Sequence, residues 1–155
     1  MVSPERLRRF PFFSGFGVEH LNAVAMLADE VTFDGGETIF KAVQPANALY
    51  FLIEGCVELH YIVVDEINSK LHKDFFVSEV NPGEPFGISA LIEPYRFTGT
   101  VRTACASRVL RFDAAGLRAL CAVDPRIEAV LMRQIAAAAM SRLNDTRVQL
   151  AAARA

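Results

Sequence analysis

Residues 81–92 read Asn81-Pro82-Gly83-Glu84-Pro85-Phe86-Gly87-Ile88-Ser89-Ala90-Leu91-Ile92, and residues 93–101 continue Glu93-Pro94-Tyr95-Arg96-Phe97-Thr98-Gly99-Thr100-Val101. Physically this is a glycine turn, a short helical stretch beginning after Gly87, and an arginine just ahead of a strand. Free amides at the start of a short helix, with a guanidinium nearby, suit an anion. Taken alone the pattern has low specificity, because Phe-Gly and a single arginine occur widely. Its meaning comes from what surrounds it.

Outward from this segment, the chain between Glu30 and Asp113 has β texture. Val31-Thr32-Phe33 and Thr38-Ile39-Phe40 are short strand candidates joined by Asp34-Gly35-Gly36, a turn that wants positive φ. Leu49-Tyr50-Phe51-Leu52-Ile53 is the continuous apolar run of a buried strand, ended by Glu54-Gly55. The next run has period two, with Val57, Leu59, Tyr61 and Val63 on one side. The polar stretch from Asp65 to Asp74, with Asn68-Ser69-Lys70 inside it, predicts an exposed hairpin tip. Strands resume at Phe75-Phe76-Val77, at Thr100 to Cys105 and at Val109 to Phe112. About seven or eight short strands at such intervals predict a small antiparallel roll or sandwich.

Both ends of the chain are helical. Pro4 to Phe10 is a short candidate, and Gly15 and Gly17 separate it from a second, where Val18, Leu21, Val24, Ala25 and Ala28 fall at helical spacing. Ala114 to Val123 is a third segment. Asp124-Pro125 then supplies an N-cap and a proline at the first helical position. Arg126 to Arg154 contains neither glycine nor proline, and at about 1.5 Å per residue it spans roughly 43 Å, longer than one small domain needs. Ile127, Val130, Leu131, Ile135 and Ala138 can face the chain's own core. Met132, Ala136, Ala139, Leu143, Thr146, Leu150 and Ala153 alternate in steps of four and three, which makes a heptad seam. Nothing else in a chain of 155 residues is left to cover that seam. It therefore predicts a homodimer, with a solitary helix held by alanine propensity as the alternative.

Composition narrows the function classes. With 52% hydrophobic and 22% charged residues the chain is globular rather than disordered. Sixteen basic residues against eighteen acidic ones leave a net charge of −2, which excludes nucleic-acid binding by charge alone. Apolar runs are too short for a membrane span, and Met1-Val2-Ser3-Pro4-Glu5-Arg6 opens no signal peptide, so a cytoplasmic location is expected. Cys56, Cys105 and Cys121 contain no CxxC pair, so no metal site is expected. They read as small buried apolar side chains in a reducing compartment. His20, His60 and His72 are scattered, with His60 in a strand pattern, and no Ser/His/Asp, Cys/His or paired-carboxylate spacing indicates an enzyme. No catalytic residue and no cofactor are expected.

The order of these features resembles the cyclic nucleotide-binding domain of the catabolite activator and fumarate–nitrate regulator family. The resemblance is carried by Leu7-Arg8-Arg9-Phe10-Pro11-Phe12-Phe13, by Phe33-Asp34-Gly35-Gly36-Glu37-Thr38-Ile39-Phe40, by the run from Ala48 to Leu59 and by Pro82-Gly83-Glu84-Pro85-Phe86-Gly87. The long terminal helix is similar to the family's dimer helix, so essentially the whole chain is covered. The resemblance implies a mainly β fold with flanking helices, an antiparallel β-roll of the double-stranded β-helix or jelly-roll type. Residues 1–125 would form the roll with its N-terminal helices, and residues 126–155 the dimerisation helix of the same domain.

The resemblance also implies a phosphate-binding cassette. Carried over residue by residue, Gly87 and the amides of Ser89 and Ala90 would face the cyclic phosphate, Arg96 would neutralise it, and Thr98 would donate a hydroxyl hydrogen bond. Ile88 stands where the family has the glutamate that receives the ribose 2′-hydroxyl. Arg96 sits one residue farther from Thr100-Val101 than the family pattern has it, which puts Phe97 in the arginine's slot. The family's transcription factors continue into a helix-turn-helix. Nothing after Ala114 offers a recognition helix, and direct DNA binding is not expected. The expectation is a stand-alone sensor with cyclic AMP as its favoured ligand, signalling to an unidentified protein partner. Two alternatives stay open: a structural dimerisation module with a vestigial pocket, and a sensor of another small ligand, anionic or apolar, using Ile88 and Phe97.

Overall fold

Apolar runs and the breaks between them place each element of the computed structural model, which describes residues 1–68 and 70–155. Helix α1 (Pro4–Arg8) has proline in its first turn, a 3-10 turn follows at Pro11–Phe13, and α2 spans Val18–Ala25. Eight strands come next: β1 (Ala28–Phe33), β2 (Thr38–Phe40), β3 (Ala48–Glu54), β4 (Val57–Val64), β5 (His72–Val80), β6 (Pro85–Phe86), β7 (Thr100–Thr103) and β8 (Ser107–Asp113). A second 3-10 turn, Ile88–Leu91, lies between β6 and β7. Helices α3 (Ala114–Val123) and α4 (Pro125–Ala153) follow β8.

The strands pair antiparallel into two four-stranded sheets, β1-β8-β3-β6 and β2-β7-β4-β5. This is the β-roll with flanking helices that the sequence implies. Strand β3 shows why its sequence is apolar without alternation: both of its faces are covered. On one face Phe51 meets Phe10, Phe12 and Phe13 from the N-terminal layer, with ring centroids 4.8, 5.6 and 5.2 Å away. On the other, Tyr50 points into the roll against Phe86 at 5.1 Å and Phe40 at 5.7 Å. The roll's interior and the helical layer are thus two halves of one core divided by a strand.

Helix α4 begins as its sequence requires, with the Asp124 carboxylate accepting from the Arg126 amide at 3.0 Å and Pro125 in the first turn. Ile127, Leu131 and Ile135 bury against the core, with Val130 and Ala138 half-buried beside them. Past Ile135 the helix runs alongside β5 and β6. Leu143 and Leu150, in the predicted seam, are exposed in the single chain. Among the described residues no helix is long and apolar enough to cross a membrane.

Three local expectations change. The turn at Asp34-Gly35-Gly36 has its positive φ, +81° at Gly36, but it does not make a hairpin. Strand β1 pairs with β8 and β2 with β7, because the Gly36 amide donates to Thr103 O rather than closing the turn on itself. The predicted hairpin tip is shorter than its polar composition suggested: His72-Lys73-Asp74 belong to β5, paired with Val64, Val63 and Ile62. Of the residues proposed for the tip, Ser69 lies outside the described ones. The cysteines are not three buried thiols. Cys56, in the β3–β4 turn, and Cys105, in the β7–β8 turn, are bonded to each other with Cα atoms 5.1 Å apart. Only Cys121 is a buried free thiol. The two turns are brought together by the ladder itself, where Ala104 N donates to Cys56 O at 2.7 Å.

Candidate functional site

The site begins where β6 ends. Phe86 is held against Tyr50 of β3, and the chain then turns through Gly87 at φ +69° into the 3-10 turn Ile88–Leu91. Glycine is required here for two reasons. The conformation is left-handed, and a Cβ would come within 3.1 Å of the Phe97 ring and 3.3 Å of the Phe40 ring. Within the turn Ala90 N donates to Gly87 O and Ile92 N to Ser89 O, both at 3.1 Å. The amides of Ile88 and Ser89, which lead the turn, therefore have no acceptor inside it.

Helix α3 holds this turn in place. Arg118 donates from Nε to Ala90 O at 2.9 Å and from Nη2 to Ala46 O at 2.7 Å, while its guanidinium lies 4.0 Å from the centre of the Tyr95 ring. One side chain thus fixes the cassette turn, the loop before β3 and the Tyr95 loop at once.

In front of the turn is a cavity of about 380 Å³. The turn forms one wall, the inner faces of β4 and β7 a second, and Ala139, Arg142 and Thr146 of α4 a third. Four of the residues expected at a ligand site meet here: Gly87, Ile88, Ser89 and Thr98. Ala90 is fully buried behind them, with its amide already bonded to Gly87 O. Arg96 lies outside the cavity, exposed, donating from Nη1 to Val43 O at 2.9 Å. Phe97 takes the inward position instead, 4% exposed and stacked on Phe40 with centroids 3.7 Å apart. Two seam residues, Ala139 and Thr146, face this cavity, while Met132 is half-buried against the core and Ala136, Leu143 and Leu150 are exposed.

Arg142 is the residue that sequence reading missed. Its Nη2 donates to Pro85 O, while Nη1 is buried with no partner. Burial pulls its pKa below the usual arginine value, against the opposing influence of the Glu84 and Asp145 carboxylates. No other lining residue is Lys, Arg, Asp or Glu. In the sequence it is one arginine in an alanine-rich helix, and no spacing rule marks it as facing a cavity. A second, wider cleft of about 700 Å³ shares Phe40 and Phe97 with this cavity and is lined further by Asp29, Gln44, Asn47, Arg111 and Asp113.

A family model, the cyclic nucleotide-binding domain, matches residues 30–124. The chain belongs to the cyclic nucleotide-binding domain family. A protein of Geobacter metallireducens crystallised as a candidate cyclic nucleotide-binding protein is 37% identical, with a TM-score of 0.80 over 92% of this chain and 99% of that one. A CRP-like cAMP-activated global transcriptional regulator of Mycobacterium tuberculosis is 26% identical over 132 residues, 85% of this chain and 56% of that protein. A candidate potassium channel protein of Rhodopseudomonas palustris is 28% identical over 127 residues, 82% of this chain and 29% of that protein. The chain thus spans about a third to just over half the length of these two curated relatives. Within the matched region this cyclic nucleotide-binding domain keeps the Phe86-Gly87 turn and carries Ile88 and Phe97 at its centre.

Proposed function

We propose that the chain is a regulatory module that binds a cyclic nucleotide, cyclic AMP first, in the cavity between the cassette turn and α4. The observation that carries this reading is the makeup of that cavity: the family's glycine turn is one wall and the long helix is another. A ligand seated there touches the helix that bears the exposed seam, so occupancy is converted into a change at a surface. Gly87, Ile88, Ser89 and Thr98 contact the ligand in this reading, with Ala90 behind them. The cAMP-activated mycobacterial regulator to which the chain is similar supports the choice of nucleotide.

The same reading pairs two copies through Met132, Ala136, Ala139, Leu143, Thr146 and Leu150, and treats residues 1–125 and 126–155 as roll and signalling helix of one domain. It is not an enzyme; it acts on another protein through contact. In this reading it works in the cytoplasm. Calorimetric titration of the chain with cyclic AMP, cyclic GMP and cyclic dinucleotides tests the reading, alongside thermal melts. At a ligand concentration of about 100 Kd, binding to the native state adds about 2.7 kcal/mol and must raise the melting temperature. No heat and no shift with any of them would leave the alternative, a dimerisation module with an idle pocket.

A further inference from the structure

A cyclic phosphodiester is a monoanion, and in a half-open cavity it is held best beside a positive charge with free N–H donors. Arg96 is in the wrong place for this, since it faces solvent and bonds Val43 O. Arg118 is committed to Ala90 O and Ala46 O, and Arg102 is paired with Asp74 outside the cavity. Arg142 alone lines the cavity with a buried nitrogen, Nη1, that has no partner. We infer that Arg142, from the long helix rather than from the cassette, is the residue that neutralises the ligand's anionic group. The inference rests on the reading of the cavity as a cyclic nucleotide site.

Nη2 stays on Pro85 O at the end of β6, which orients the guanidinium plane, and Nη1, buried without a partner, is left for phosphate oxygens once a shift of the side chain turns it toward the cavity. A buried guanidinium nitrogen without a partner gains a charge-assisted hydrogen bond when an anion reaches it, beyond the attraction that Glu84 and Asp145 already exert on the group. The lining offers no acidic side chain to compete for that charge. Because Arg142 lies between Ala139 and Thr146, on the turn that also carries Leu143, an anion held by it acts directly on the seam-bearing part of α4. The cassette arginine of the family pattern is then dispensable, and Phe97 can occupy its slot.

The test is calorimetry with cyclic AMP on the full chain and on Arg142→Gln, Arg142→Lys and Arg96→Gln. Arg142→Gln is expected to lose about ten- to a hundredfold in affinity, Arg142→Lys to recover part of it, and Arg96→Gln to stay within about twofold of wild type. If Arg142→Gln binds like wild type, or Arg96→Gln shows the large loss, the inference is overturned while the cavity reading stands. If wild type binds no cyclic nucleotide, the cavity reading falls and inorganic phosphate and pyrophosphate become the probes. A melting temperature raised by these anions in wild type but not in Arg142→Gln supports the inference. An equal response in both chains, or none in either, overturns it. Should Arg142→Gln fail to fold by circular dichroism, Arg142→Lys decides by the same comparisons, because it keeps the charge but not the fork that serves Pro85 O and an anion together.

Discussion

Ile88 and Phe97 set what the cavity can hold. Both are apolar where the resemblance implies a glutamate and an arginine, and both are half-buried or buried rather than turned to solvent. Ile88 lines the cavity as the first residue of the cassette turn, so in the proposed reading a carboxylate there would meet a ribose hydroxyl in a site lined by Arg142 and by no acidic side chain. Ile88→Glu is therefore expected to raise cyclic AMP affinity by about ten- to a hundredfold, from one charge-assisted hydrogen bond. Calorimetry reads the gain, and an Ile88→Glu chain that folds but binds no better would mean the missing acceptor is not what limits binding. Arg118 is the residue on which the turn's position depends. Arg118→Ala leaves Ala90 O and Ala46 O without their donors and should lower stability by about 2–4 kcal/mol. Urea unfolding measures it. Arg118→Lys should recover less than half, since an ammonium cannot serve two carbonyls and stack on Tyr95 together.

At the scale of elements, α4 does three things along its length. Its first turns bury Ile127, Leu131 and Ile135, its middle presents Arg142 to the cavity, and its outer side carries the exposed Leu143 and Leu150. All of this depends on how it starts. The Asp124 carboxylate caps it, and its pKa is lowered to about 2, first by the hydrogen bond from the Arg126 side chain, then by the Arg126 amide, with His20 also near. A carboxylate that binds its proton more weakly folded than unfolded stabilises the fold above the unfolded value, about 4, and loses that contribution as pH falls toward 2. Melting curves from pH 5 to pH 2 should therefore fall more steeply for wild type than for Asp124→Asn, and the two should converge near the acid end. Parallel curves would show that the cap carries no pH-dependent stabilisation.

For the whole molecule, the consequence of this arrangement is that the cavity and the proposed dimer seam share one helix, with Ala139 and Thr146 belonging to both. Leu143→Glu places like charges at the centre of the proposed seam and should give monomers by light scattering at about tens of micromolar. A wild type that is already monomeric there would discard the seam. Much of this architecture is local and was readable residue by residue. The unbroken apolar run of β3, the short helical stretch after Gly87, the bounds of α3 and the Asp124-Pro125 start of α4 follow from turn residues, capping and hydrophobic period, which contiguous residues decide among themselves. Other features depend on which distant surfaces meet. Gly36 bonds to β7, so the turn became a corner between sheets; Cys56 and Cys105 approach only because two turns close the same end of the roll. Arg142 reaches the cavity, and Arg96 leaves it, because α4 docks along β6 and Phe97 fills the interior against Phe40. A charge in a sequence has no period that tells what it faces, and only the packing of α4 against the roll supplies that direction.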